Sequence, residues 1–124
     1  MIFYIILGGM IGAICRLGLN DLFYSNKIST WIANLVGSLL LVYLFLLNNH
    51  GLISQLTYSF WGVGFSGAFT TFATVNNQLF ETLLKKQYRE AFILSVSTYL
   101  VILTTTILFY CFLNFIYFNS TFLK

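Results

Sequence analysis

Four long apolar stretches, at approximately 2–19, 30–48, 57–84 and 91–117, occupy most of this 124-residue chain and leave only short connections between them. A membrane-spanning helix needs about 20 mostly apolar residues, so each stretch is long enough to cross a bilayer. The charged fraction is 7%, against roughly a quarter in a soluble domain. With a mean hydropathy of +0.88, the chain reads as an all-α integral membrane protein, a single domain over 1–124 made of four transmembrane helices.

The first stretch, IFYIILGGMIGAICRLGL, has no basic segment before its apolar core and no small-residue cleavage site leading into a soluble protein. It reads as a retained helix rather than a signal peptide. Cys15 and Cys111 both fall inside apolar stretches, where a thiol behaves as a small hydrophobe. Neither a disulfide nor a metal is assigned to them. His50, in the connection NNHGL, is the single histidine and reads as a solvated loop residue.

Charge sets the expected orientation. Arg16, Asp21 and Lys27 flank the first connection, and Lys85, Lys86, Arg89 and Glu90 cluster at the third. The second connection has no lysine or arginine, and the C-terminal end has only Lys124. Lysine and arginine stay on the cytoplasmic side, so connections one and three are predicted to be cytoplasmic and both termini outside. The net charge of +3 is thereby a topology signal. It does not suggest nucleic-acid binding, which needs a basic patch on a folded aqueous face.

The third stretch is unusual in composition and in length. Its centre, GVGFSGAFTTFATVNNQ at 62–78, puts three glycines and a run of hydroxyl and amide groups at membrane depth. Irregular polar backbone is tolerated there only where protein buries it or it lines a water-filled cavity. From Thr57 to Leu84 is 28 residues, about 42 Å as one helix against a hydrocarbon core of about 30 Å. Two readings remain open: a break near residues 67–71 with a half-helix on either side, or a long tilted helix whose small residues serve packing. No proline is present to cause a break.

Other polar residues inside the spans are few. Gly8 and Gly12, with Gly9 and Ala13, have the spacing of a helix-packing face. Asn34 precedes Ser38 by one helical turn, so both project from one face. An amide in a membrane needs a partner, either another helix or an aqueous path. Ser95, Ser97, Thr98 and the run Thr104 to Thr106 pose the same question on the fourth stretch, where a hydroxyl can also bond back to its own helix. No cysteine or histidine cluster has ligand spacing and no catalytic constellation is present. An enzyme is not expected.

Taken together, GGMIGAICR at 8–16, STWIANLVGS at 29–38 and GFSGAFTTFAT at 64–74 resemble the small bacterial fluoride channels, the Fluc or CrcB proteins. The resemblance runs over almost the whole chain and is most specific in the third segment. It implies an antiparallel dimer of four-span subunits in the bacterial cell membrane, a third span broken near its centre, and passive export of cytoplasmic fluoride that lowers its toxicity. It also implies a structural sodium ion at the dimer centre, held by main-chain carbonyls at positions matching Gly67 and Thr70. The implied fluoride pore includes Asn34, Phe72, Thr74 and Val75. Apart from the resemblance, Ser95 is the choice among the fourth-span hydroxyls, and Arg16, at the cytoplasmic end of the first span, has two open readings: a vestibule residue that draws anions toward the entrance, or a topology anchor. Here Val75 stands where the family has a second phenylalanine, Ala73 where it has a serine, and Gln78 where it usually has an acid.

Members of the family occur as homodimers that insert both ways or as pairs of fixed, opposite orientation. The strong charge bias of this chain and its departures at Val75 and Ala73 favour a homologous, oppositely oriented partner over an identical chain. Two other functions fit the size: a four-helix proton-coupled multidrug-type exporter, and a noncatalytic membrane assembly protein. The exporter would need an ionisable residue inside a span. Yet Asp21 and Glu90 lie at connections and Glu81 near the end of the third span. The assembly protein leaves the polar interruption at 66–78 unexplained.

Overall fold

The computed structural model describes residues 1–23 and 25–122 and is helical nearly throughout. Helix α1 runs Ile2–Leu22 and α2 runs Asn26–Asn49. The third span consists of two helices: α3, residues 55–69, and α4, Phe72–Leu84. Helix α5 covers residues 88–122. Helices α1, α2 and the stretch Tyr88–Asn119 of α5 are each long and apolar enough to cross a membrane. Lys124, the one basic residue expected on the far side, lies outside the described residues.

The break in the third span is real and falls at Thr70 and Thr71. Their backbones are extended, with φ −75°, ψ 157° and φ −151°, ψ 121°. The tilted-helix alternative is thereby excluded. With no proline or glycine at these two positions, the interruption rests on side-chain hydrogen bonding, described below.

Helices α1 and α3 touch backbone to backbone. A methyl group at Gly8 would fall on the carbonyl oxygen of Phe60, and one at Gly12 on that of Phe65. Across the same contact, a Cβ at Gly64 would lie 2.5 Å from the carbonyl oxygen of Ile5. Lipid tails are as apolar as leucine, so helices in a bilayer associate through close packing, which small residues permit. The small-residue face predicted on the first span therefore packs within the subunit.

Two π-helical stretches, Tyr58–Ser66 in α3 and Val96–Val101 in α5, interrupt the α-helical register. Both adjoin the broken region in space, since α3 ends at the break and Thr98 borders it. Two of the turns between helices use left-handed residues. Gly51 at φ 68° and Lys86 at φ 58° follow the ends of α2 and α4. In each, the next amide bonds back into the last turn, Leu52 to Leu47 and Gln87 to Thr82, the Schellman pattern of helix ends.

Most of the large apolar side chains of α1 and of the second half of α5 are exposed. In water this would be untenable. In a bilayer those faces meet acyl chains or a partner.

The broken span and its polar groove

Asn34 is the residue that organises the break. Its Oδ1 accepts the backbone N–H of Thr71 at 2.7 Å, and its Nδ2 donates to the carbonyl oxygen of the same residue at 3.1 Å. One side-chain amide thus satisfies both backbone groups of Thr71. Such groups cannot be left unpaired in hydrocarbon, so Asn34 makes extended backbone at Thr71 tolerable. Its amide has two N–H donors, and one finds no acceptor among the described residues.

Room for this arrangement comes from α2. A side chain at Gly37 would collide with the methyl of Thr70, so the helix is open where the break leans on it. Thr70 donates its hydroxyl to the carbonyl of Ser66 at 3.0 Å, closing the end of α3. Thr71 caps α4: its Oγ1 accepts the amide of Thr74 at 3.3 Å and lies 3.0 Å from the Thr74 hydroxyl.

Opposite helix ends meet at this point. The carbonyls at the end of α3 include that of Gly67, approached by the Thr70 hydroxyl at 3.5 Å. The first amides of α4, those of Phe72 and Ala73, find no acceptor among the described residues. A helix carries partial negative charge at its C-terminus and partial positive charge at its N-terminus. The break therefore offers carbonyls to a cation and amides to an anion.

A groove of about 260 Å³ opens beside it, lined by Asn34, Ser38, Leu41, Thr70, Thr71, Phe72, Thr98 and Ile102. None of these carries a charge. Phe72 is 69% exposed, while Thr98 is buried. What brings Thr98 to the groove is the π-helical stretch Val96–Val101, which adds a residue to the turn and shifts the face that follows. Sequence offers no signal for that shift.

Below the groove the polar face continues. Gln78 donates from Nε2 to the carbonyl of Asn26 at 3.0 Å and to Oγ1 of Thr30 at 2.9 Å, and Thr82 bonds the carbonyl of Gln78 at 2.6 Å. Asn26, Thr30, Asn34 and Ser38 stand one turn apart on α2 and so form a single stripe. Gln78 is buried and its Oε1 has no partner. Turning the amide over would set Oε1 against the Asn26 carbonyl, so the orientation is determined.

The expected site residues separate into two groups. Asn34, Phe72 and Thr70 gather at the groove, with Thr74 at its edge through Thr71 and Gly67 at the end of α3. Val75 and Ser95 do not join them. Val75 is 2% exposed, turned inward with Gln78 and Thr82 as α4 packs beside α2. Ser95 precedes the π-helical stretch, and Thr98 takes the place at the groove. Arg16 lies on α1 and is not among the residues that line the groove; the ion pair found among the described residues joins Lys27 to Glu90 at 3.2 Å. The hydroxyls of Ser97, Thr104 and Thr106 bond to carbonyls of their own helix.

A helical membrane protein with one span broken at its centre, and an uncharged polar groove beside the break, is the class these features define. Residues 3–115 match the family described as CrcB-like protein, camphor resistance (CrcB), and the chain belongs to that family. Among its relatives, a protein of Pyrococcus abyssi called fluoride-specific ion channel FluC is 32% identical over 84% of this chain and 88% of its own length. One of the same name from Thermococcus kodakarensis is 34% identical over 68% of this chain and 72% of its own length. Another from Campylobacter jejuni strain RM1221 is 41% identical over 57% of this chain. That alignment spans 62% of the Campylobacter protein's length.

Proposed function

We propose that this chain forms a channel through which fluoride leaves the cell passively. The observation that carries the reading is the groove at the break, which is polar, bordered by free helix amides and an exposed aromatic ring, and free of charged side chains. The family and the names of its relatives support fluoride as the ion.

The physical problem is desolvation. Moving a small anion into a low-dielectric interior costs of order 20 kcal/mol in the idealised limit, and several after relaxation. A pore must therefore supply substitutes for water. The second N–H of Asn34, the first amides of α4 and the hydroxyls of Thr74 and Thr98 are donors. The edge of the Phe72 ring is positive and attracts an anion without trapping it as a fixed cation would. Conduction requires weak, successive sites of this kind. Fluoride enters a cell as its neutral acid in acidic surroundings and ionises in the cytoplasm, so a negative-inside potential drives the anion out through such a path.

A single chain leaves the broken face of α3 and α4 open, with Gly67, Phe72 and Asn77 exposed. An antiparallel second subunit would cover it and complete the pore. The same pairing would bring two sets of α3 carbonyls together. Oxygen donors at the negative end of a helix suit a hard cation, and Gly67 and Thr70 would hold a structural sodium ion, which would neutralise the meeting carbonyl ends. Positive charge near connections one and three places them on the cytoplasmic side.

The decisive experiment is fluoride efflux from liposomes containing the purified chain. Detergent removes the insertion bias of the cell, so the purified protein can pair antiparallel. Electrogenic fluoride efflux is expected. Proton-coupled cation exchange would support the exporter, and absence of any flux the assembly protein.

A further inference from the structure

The exposed ring of Phe72 does not stand alone. Its ring partner among the described residues is Tyr99, with centroids 6.1 Å apart and planes inclined by 58°. Tyr99 is itself 37% exposed and donates its hydroxyl to Oδ1 of Asn76 at 2.8 Å. Asn76 lies one turn beyond Phe72 on the same helix. The three residues close a small circuit: α4 carries Phe72 and Asn76, and Tyr99 reaches across from α5 to touch both.

The circuit depends on the π-helical stretch. Tyr99 belongs to Val96–Val101, where the i→i+5 pattern shifts the face of α5 relative to an α-helix, and such stretches are frequent at functional sites. Trp31 of α2 secures the stretch, donating its indole N–H to the carbonyl of Ser97 at 3.2 Å. Neighbouring Thr98 faces the groove.

From this arrangement we propose that Tyr99, pinned by Asn76, is a positioning residue that sets the orientation of the Phe72 ring and thereby the ion discrimination of the path. The inference rests on the channel reading above. A phenylalanine at 69% exposure has room for more than one rotamer, and its ring presents a positive edge in some and a negative face in others. An anion is attracted by the first and repelled by the second. Tyr99 packs against one side of the ring and limits that choice, while the Asn76 bond limits the rotation of Tyr99.

The test compares wild type, Tyr99→Leu, Tyr99→Phe and Asn76→Ala in proteoliposomes, measuring fluoride and chloride flux, with assembly checked by gel filtration. Tyr99→Leu is expected to lower fluoride flux about two- to tenfold, the range that loss of one aromatic pair corresponds to, and to narrow the gap to chloride. Tyr99→Phe keeps the ring and recovers most of the loss. Asn76→Ala matches Tyr99→Phe, and combining these two is no worse than either, because both remove one bond. In a Phe72→Ile background, Tyr99→Leu has no further effect. Wild-type flux and selectivity in an assembled Tyr99→Leu protein, or an undiminished Tyr99→Leu effect without the Phe72 ring, would overturn the inference while leaving the channel reading intact. A wild-type protein that carries no fluoride would overturn both.

Discussion

The pairing of Asn34 with Thr71 and its proposed place on the ion path are separable by mutation. Because its amide pairs with both backbone groups of Thr71, Asn34→Ala orphans an N–H and a C=O. The expected loss is about 1–3 kcal/mol for an unsatisfied buried group, seen as a lower unfolding temperature in detergent. Asn34→Asp retains the acceptor for the Thr71 amide but sets a carboxylate oxygen against its carbonyl. Fluoride flux should fall sharply, and unchanged flux at neutral and alkaline pH would limit Asn34 to a structural role. Phe72 makes the opposite case. It is mostly exposed in the single chain, so Phe72→Ile should leave the fold of the subunit unchanged and reduce flux, and normal flux in a well-folded protein would remove the ring from the path.

Among the elements, the α1–α3 pair is held by contact that only small residues allow. At Gly12 the nearest obstacle is backbone, the carbonyl of Phe65, which cannot rotate away. Gly12→Val should therefore cost about 1–3 kcal/mol, the range for overpacking a close-fitting interior. Gly18, on the same helix, has open space where a Cβ would project, with no atom within 4 Å, and Gly18→Ala should be neutral or slightly stabilising. Equal unfolding temperatures for the two variants would show that the close contact is not maintained in solution. The end of α4 offers a gain instead. Lys86 holds a left-handed conformation that costs a residue with a Cβ about 1–2 kcal/mol, so Lys86→Gly should raise the unfolding temperature.

For the molecule as a whole, the charge distribution bears on the proposed partner. In the sequence Arg16, Lys27, Lys85, Lys86 and Arg89 cluster at connections one and three, with Lys124 the one basic residue at the C-terminal end. Such a bias favours one orientation, which makes an antiparallel homodimer hard to assemble in a cell. Pairing with a homologous chain of opposite orientation is the expected outcome. Cysteine labelling of the termini in intact cells should find them on the outer face only, and this chain expressed alone should give little fluoride resistance. Labelling on both faces together with full resistance would establish a dual-topology homodimer instead.

An all-helical membrane fold and the anomaly of the third stretch were legible in the sequence, because hydropathy and composition act locally and a bilayer demands internally satisfied backbone. The window 67–71 for the break was legible too, but its cause was not: a residue in another span, Asn34, accepts and donates at Thr71. Spacing could place Asn34 and Ser38 on one face, yet could not say which backbone that face would meet. Tertiary structure alone decided that Val75 turns inward, that Thr98 rather than Ser95 borders the groove, and that Tyr99 meets Phe72. The physical reason is the same in each case. Which way a helical side chain points depends on register and on the neighbour it packs against, and the π-helical stretch that resets the register of α5 leaves no mark in hydrophobic pattern.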